Sequence, residues 1–168
     1  VAVSEANPIA CRYHDAGPRI SMNTILFYSL ADDYGEFSNF AEYPIRIDGE
    51  TWPTTEHYFQ AQKFEDAACR QRIRRASSPM EAARMGRDRK MKLRRDWESV
   101  KVSVMHAALL AKFRQHDDLR ALLLSTGDAK LVEHTENDDY WGDGGDGHGR
   151  NMLGQLLMRV RQTLAAEA

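Results

Sequence analysis

The most constraining feature of this chain lies near its end. Leu153, Leu156, Leu157, Val160 and Leu164 fall at i, i+3, i+4, i+7 and i+11. That spacing predicts a helix over 152–164 with one apolar side, and such a side is stable only against another apolar surface. The rest of the chain must supply that surface. A long helix is predicted over 97–115, with Val104, Met105, Ala108, Leu109 and Phe113 on one side. A shorter one over 119–126 is ended by Gly127. Ser78-Pro79-Met80-Glu81 is a capping box with proline at the first helical position. Thr54 or Thr55 caps a further helix over 56–66. Strands are predicted at 25–28 and 130–135. Ile45-Arg46-Ile47 and Glu50-Thr51-Trp52 flank Asp48-Gly49, the pair that supplies positive φ to a type I′ hairpin turn. The sum is an α+β class: one helix-rich domain over 24–168 with a small β-sheet. Residues 1–23 carry no period and read as a flexible extension, with no charged-then-apolar pattern of a signal peptide.

Composition closes off several classes of function. No apolar run approaches the ~18 residues that a membrane-spanning helix needs, so no membrane partner is expected. Two cysteines, Cys11 and Cys69, are too few for a disulfide scaffold or a cysteine-built zinc site, and a cytoplasmic setting is expected. The six histidines show no metal spacing. No metal and no cofactor is therefore expected. The net charge of −2 argues against a generic, salt-driven nucleic-acid binder. Charge is nevertheless uneven. The stretch 70–95 is dense in lysine and arginine against only Glu81 and Asp88, and suggests a local phosphate site, with Arg87 beside Gly86 as its candidate.

Three constellations can carry chemistry. On the helix predicted after Thr55, Glu56, Gln60 and Lys63 fall within about 60° of one another at 100° per residue, so an acid, an amide and an amine share one face. Trp52, Tyr58, Phe59 and Phe64 hem that trio. An exposed polar stripe is the plain alternative, but partial burial among aromatics shifts carboxylates and amines into a reactive range. The second constellation, Glu36-Phe37-Ser38-Asn39-Phe40, sets short polar groups between aromatics that want burial, an arrangement suited to a small planar ligand. The third runs from Asn137 to Asn151, where six of the chain's eleven glycines lie between Gly142 and Gly154. Its backbone N–H groups are candidates for holding an anion, and Trp141 for stacking on a base. The EF-hand spacing of a calcium loop is missing.

Read in order, the motifs resemble one family. They are Gly-Glu-Phe-Ser-Asn-Phe at 35–40, Trp-Pro-Thr-Thr-Glu-His-Tyr-Phe-Gln-Ala-Gln-Lys-Phe at 52–64, Gly-Arg at 86–87 and Asp-Trp at 96–97. They continue with Leu-Leu-Ser-Thr-Gly-Asp at 123–128, Leu-Val-Glu at 131–133, Tyr-Trp-Gly at 140–142 and Asn-Met-Leu-Gly at 151–154. Together these look like the NADAR, or YbiA-like, family, which includes N-glycosidases acting on riboflavin-biosynthesis intermediates. The resemblance implies hydrolysis of a ribose C1–N bond in a phosphorylated N-riboside, the ribosylamino-pyrimidine 5′-phosphates being the first expectation. ADP-ribose on guanine of a nucleic acid, or a non-catalytic nucleotide-binding module, is the alternative. The implied catalytic residues are Glu56, Lys63 and Asp139, with Glu133 a further acid. The implied binding residues are Glu36, Phe37, Ser38, Asn39, Trp52, Gln60 and Arg87, together with Trp97, Tyr140, Trp141, Gly142 and Asn151.

Overall fold

A computed structural model describes residues 23–167. Apart from Asn23, the extension expected over 1–23 lies outside the described residues. Among them the elements run β1 (Thr24–Phe27), a 3₁₀ turn (Gly35–Phe37), β2 (Ile45–Ile47), β3 (Glu50–Trp52), α1 (Thr55–Ala61), α2 (Ala67–Arg74) and α3 (Pro79–Gly86). They continue with α4 (Trp97–Gln115), α5 (Asp117–Ser125), β4 (Lys130–Glu133) and α6 (Met152–Ala166). The class is α+β and helix-rich, as expected. Its strands form two separate pairs rather than one sheet. β1 lies parallel to β4, with Phe27 opposite Glu133, whereas β2 and β3 form the antiparallel hairpin. Asp48 and Gly49 take φ values of 52° and 80° at its turn, the left-handed region that a type I′ turn requires.

The C-terminal stripe behaves as its spacing demands. Leu153, Leu156, Leu157, Val160 and Leu164 of α6 are all fully buried, packed with Met105, Leu109 and Phe113 of α4 and Leu119 and Leu123 of α5. Each such side chain is worth about 1.5–3 kcal/mol relative to exposure. A second apolar cluster joins Ile45 and Trp52 of the hairpin to Tyr58, Phe64, Ile73 and Ala82, and locks α1 to α2 and α3. No helix among the described residues is long and apolar enough to cross a membrane.

The helix expected over 56–66 ends five residues early, and a separate helix begins at Ala67. α1 stops at Ala61, and two 3₁₀-type bonds close its end, from the Lys63 N–H to Gln60 and from the Phe64 N–H to Ala61. Asp66 then starts α2 by accepting the Cys69 N–H at 2.9 Å. Phe64, buried in the second cluster, anchors the turn between them. Ser78 caps α3 as its motif predicts, accepting the Glu81 N–H at 3.1 Å.

Candidate active site

The short helix α1 is buried along its whole length, polar residues included. Thr54 caps it, its hydroxyl accepting the His57 N–H at 3.2 Å. The start of α1 is also tied to the turn after the 3₁₀ segment. The Glu56 N–H donates to the Asn39 carbonyl at 3.2 Å, and the Thr55 hydroxyl lies 3.1 Å from both the carbonyl and the side-chain oxygen of Asn39. Within α1 the Gln60 amide donates to Glu56 Oε1 at 2.7 Å. Lys63, one turn further, donates from Nζ to the Gly86 carbonyl at 3.3 Å and lies 5.7 Å from the Phe59 ring centre. The acid, amide and amine expected on one face therefore do lie together, although Lys63 stands beyond the helix end.

They open onto a cleft of about 500 Å³. Ser38, Asn39, Arg87 and Trp141 share its wall with them, as do Glu133, Thr135 and Asp138. The carboxyl-terminal ends of the parallel strands β1 and β4 both lead there, through Tyr28 and Ser29 on one side and Glu133 and Thr135 on the other. Crevices outside the carboxyl ends of parallel strands are habitual ligand sites in α/β sheets. Trp141 stands edge-on to Phe59 at 5.3 Å, and Asp138 fixes it there by accepting the N–H groups of Tyr140 and Trp141 at 2.8 and 2.7 Å.

Burial sets the electrostatics of this cleft. Glu56 is held above the usual carboxylate range by desolvation, which the Gln60 hydrogen bond and the nearby Lys63 and Arg87 only partly offset. Lys63 is pushed down, again by desolvation first, with Glu56 pulling the other way. Glu133 rises to about 8, through burial and then through the negative charges of Asp138, Glu56 and Asp143. At neutral pH the cleft thus holds both a protonated carboxyl at Glu133 and, at Lys63, an amine that gives up its proton more readily than a free lysine. Such paired perturbation is the mark of acid–base chemistry.

Several sequence candidates lie elsewhere. Asp139 is exposed and, with Tyr140, lines a neighbouring groove that shares only Asn137 and Asp138 with the cleft. The acids of that segment facing Glu56 are Glu133 and Asp138 instead. Tyr140 carries Lys101 Nζ at 4.0 Å and the Arg150 guanidinium at 5.4 Å over its ring. Trp52 is 1% exposed in the second apolar cluster, edge-on to Tyr58, because the hairpin needs it as its anchor. Phe37 is wedged against Phe27 and Phe113, and Trp97 lies behind Phe59, so both back the site without reaching its wall. Glu36 takes part through its backbone carbonyl, which accepts from Lys112.

Gly142 and Asn151 are likewise absorbed by packing. A Cβ on Gly142 would lie 2.6 Å from the Thr135 methyl. The Asn151 side chain accepts the Glu133 N–H at 3.0 Å and donates to the Leu131 carbonyl at 2.9 Å, tying α6 to β4. Most amides of the Gly-rich loop are taken up within the loop itself. The N–H groups of Gly145 and His148 bond the side chains of Asp143 and Asp146, while those of Gly144, Gly149 and Asn151 bond loop carbonyls. The first turn of α6 is capped in the same way, with the Met152 and Leu153 N–H groups donating to the carbonyls of Tyr140 and Trp141.

Asp138, Thr135, Tyr28 and Met80 are cleft residues that the sequence reading missed. The alternation of β4 could have flagged Thr135, two residues beyond Glu133. No local signal distinguishes Asp138 from Asp139.

Comparison with known proteins places the chain in a family. The NADAR domain family matches residues 26–165. The chain is 66% identical to N-glycosidase YbiA of Escherichia coli (strain K12) over 149 residues, which cover 88% of this chain and 93% of that one. An N-glycosidase of Nostoc punctiforme is 47% identical over 144 residues, covering 84% and 92%. A riboflavin biosynthesis protein of Vibrio vulnificus is 41% identical over 155 residues, which are 92% of this chain but 42% of that longer protein. The NMR structure of E. coli YbiA superposes with a TM-score of 0.82 at 67% identity, covering 87% of each chain. With the match spanning β1 to α6 and every element that builds the cleft, the chain belongs to the NADAR domain family.

Proposed function

We propose that this protein is an N-glycosidase that hydrolyses the ribose C1–N bond of a phosphorylated N-riboside. The observation that carries the reading is the cleft that Glu56, held by Gln60 at 2.7 Å, lines together with Lys63 and Glu133. Relatives named as N-glycosidases and as riboflavin biosynthesis proteins support it. Ribosylamino-pyrimidine 5′-phosphates are the substrates that fit best. Trp141 offers a stacking face for a planar base, and Arg87, at the end of α3, offers paired N–H donors to a phosphate.

In this reading a ribosylamine opens to the imine, and the Lys63 amine adds to C1. Desolvation supports that step, since only the neutral amine is a nucleophile. The C1–N bond to the base then breaks. One lysine proton passes to the base nitrogen as the amine adds. The base then departs as its free amine with a second proton from the Glu133 carboxyl, while Glu56 takes the remaining lysine proton and returns it to Glu133 through water in the hydrolysis that follows. Water adds across the resulting C1=N bond, returning Lys63 and releasing ribose 5-phosphate, so one water is consumed overall. Direct attack of water on an oxocarbenium-like C1 is the competing route, with the carboxyl groups as acid and base.

The test is base release from a panel of N-ribosides, each with and without the 5′-phosphate and including ADP-ribosylated guanosine. The ribosylamino-pyrimidine 5′-phosphates should turn over fastest, and Arg87→Ala should penalise the phosphorylated forms selectively. No release from any of them would overturn the proposal. Equal loss on phosphorylated and dephosphorylated forms would remove Arg87 from the phosphate contact.

A further inference from the structure

Gly86 ends α3 and is buried directly against α1. A Cβ placed on it would lie 2.0 Å from Gln60 Oε1, 2.7 Å from Gln60 Cδ and 2.9 Å from Gln60 Cβ. All three of its nearest neighbours belong to Gln60, so the missing methyl is room for that side chain. Gln60 is itself 4% exposed, and its amide nitrogen is committed to Glu56 Oε1 at 2.7 Å. The amide oxygen that faces Gly86 has no hydrogen-bond partner among the described residues, so the end of the side chain is set by the bond to Glu56 on one side and by contact with Gly86 on the other. The Gly86 carbonyl meanwhile accepts the Lys63 Nζ bond at 3.3 Å. One residue without a side chain therefore touches the support of the acid through its α-carbon and the amine through its oxygen.

We propose that Gly86 is a positioning residue for the cleft, holding Gln60 against Glu56 by the absence of a Cβ and Lys63 by its carbonyl. The inference rests on the reading of Glu56 and Lys63 as the reacting pair, but its structural half can be tested without any substrate. An added methyl collides chiefly with the tip of a side chain rather than with backbone. Gln60 must therefore swing away, and α1 and α3 must also ease apart at Gln60 Cβ, which stands 2.9 Å from the added methyl. The expected cost falls on the Gln60–Glu56 bond more than on the fold. That bond lowers the Glu56 pKa against the desolvation that raises it, so its loss leaves the carboxyl harder to ionise. The other charged groups felt by Glu56 are Lys63, Arg87, Asp138 and Glu133, and none of them is changed by the substitution.

The experiment is Gly86→Ala, read by the side-chain amide signals of Gln60 and by the carboxyl-carbon titration of Glu56 in the unliganded protein. Gln60 should shift, Glu56 should titrate at higher pH than in the parent, and melting should fall by no more than about 4 °C. On a turned-over riboside, kcat should drop at least about 10-fold with KM changed far less, as for an interaction that acts on the reaction rather than on binding. Unmoved Gln60 signals and an unmoved Glu56 titration would overturn the proposal. A moved titration with no turnover in the parent protein would leave Gly86 as the positioning residue and reject the glycosidase reading instead. If Gly86→Ala does not fold, the double variant Gln60→Ala/Gly86→Ala decides, since it removes the two tightest of the three contacts. Recovery of the fold supports the role, and continued unfolding overturns it.

Discussion

Lys63 and Lys112 are two amines drawn out of water within one small domain, and only one of them faces a cleft. Lys112, on α4, has no exposed surface, and its Nζ donates to the carbonyls of Glu36 at 2.5 Å and Ser38 at 2.9 Å. Burial pushes its pKa down to about 7, with the charge of Glu36 pulling weakly upward. A neutral amine carries two N–H donors, the number of carbonyls that Lys112 meets. Lys63 is half-buried, holds one backbone carbonyl, and shares its cleft with the carboxyls of Glu56 and Glu133. Desolvation is the main cause that depresses both amines, and at Lys63 the positive charges of Arg87 and Lys101 add to it. A depressed amine becomes a candidate nucleophile only with an opening and an acid–base partner beside it. Lys112 has neither, and its work is to hold the turn that delivers Ser38 and Asn39 to the cleft wall.

Lys63→Arg should separate the two lysines most sharply. Arginine keeps the charge but stays protonated, so turnover should fall by upwards of about 10³-fold. Borohydride added during turnover should leave a ribose-derived adduct on Lys63, found by peptide mass spectrometry, and none on Lys112. Full activity in Lys63→Arg would end the Schiff-base route and leave the carboxyl mechanism standing. Glu56→Gln comes next. It keeps the shape and removes proton exchange, and should cost at least about 10²-fold in rate with the fold retained. A variant with near-parental turnover would strike Glu56 from the mechanism.

Trp141→Ala should weaken ligand binding by the ~1–3 kcal/mol of a lost stacking surface. Because Trp141 is only half-buried, its melting temperature should fall less than that of Trp97→Ala, where removing a core indole costs about 3–5 kcal/mol. Unfolding of Trp141→Ala, with affinity unchanged where folded, would make it a core residue like Trp97.

The smallest effect separates the lysines by stability. Lys112→Met leaves two buried carbonyls without a donor and should cost about 1–3 kcal/mol in urea unfolding, while Lys63→Met should cost less. The pH dependence has a definite sign. Lys112 titrates at about 7 folded against 10.5 ordinarily, so between those values the unfolded chain binds more protons and stability rises with pH. Glu133 titrates at about 8 folded against 4.5 ordinarily, so its contribution is lost as pH rises through that window. The gap between parent and Lys112→Met should therefore widen from about pH 7 upward, and a constant gap would mean that the amine stays charged in the fold.

How far these regions were legible in sequence follows the range of the forces involved. Thr54, Ser78, Asp48-Gly49 and the α6 stripe are recorded within a few residues of where they act, and each element appears where its signal lies. The break between α1 and α2 was missed because Phe64 ends α1 by sinking into a cluster with Ile45 and Ile73, which the local helical pattern does not contain. The wall residues divide in the same way. Glu56 and Gln60 share a face by helical spacing, and the turn that closes α1 keeps Lys63 near them, whereas Trp52, Trp97 and Asn151 have the chemistry of binding residues but are used to hold the fold together.

The sequence by itself determined the helix-rich α+β class, the caps, the hairpin turn and the acid–amide–amine face, because each depends on neighbours along the chain. Tertiary structure alone decided that Glu133 and Asp138, rather than Asp139, meet Glu56, and that Lys112 is sealed while Lys63 is open. Those outcomes turn on desolvation and on contacts such as the β1–β4 pairing, between segments more than a hundred residues apart. Burial of a charge is a property of everything packed around it, and no short stretch of sequence contains that.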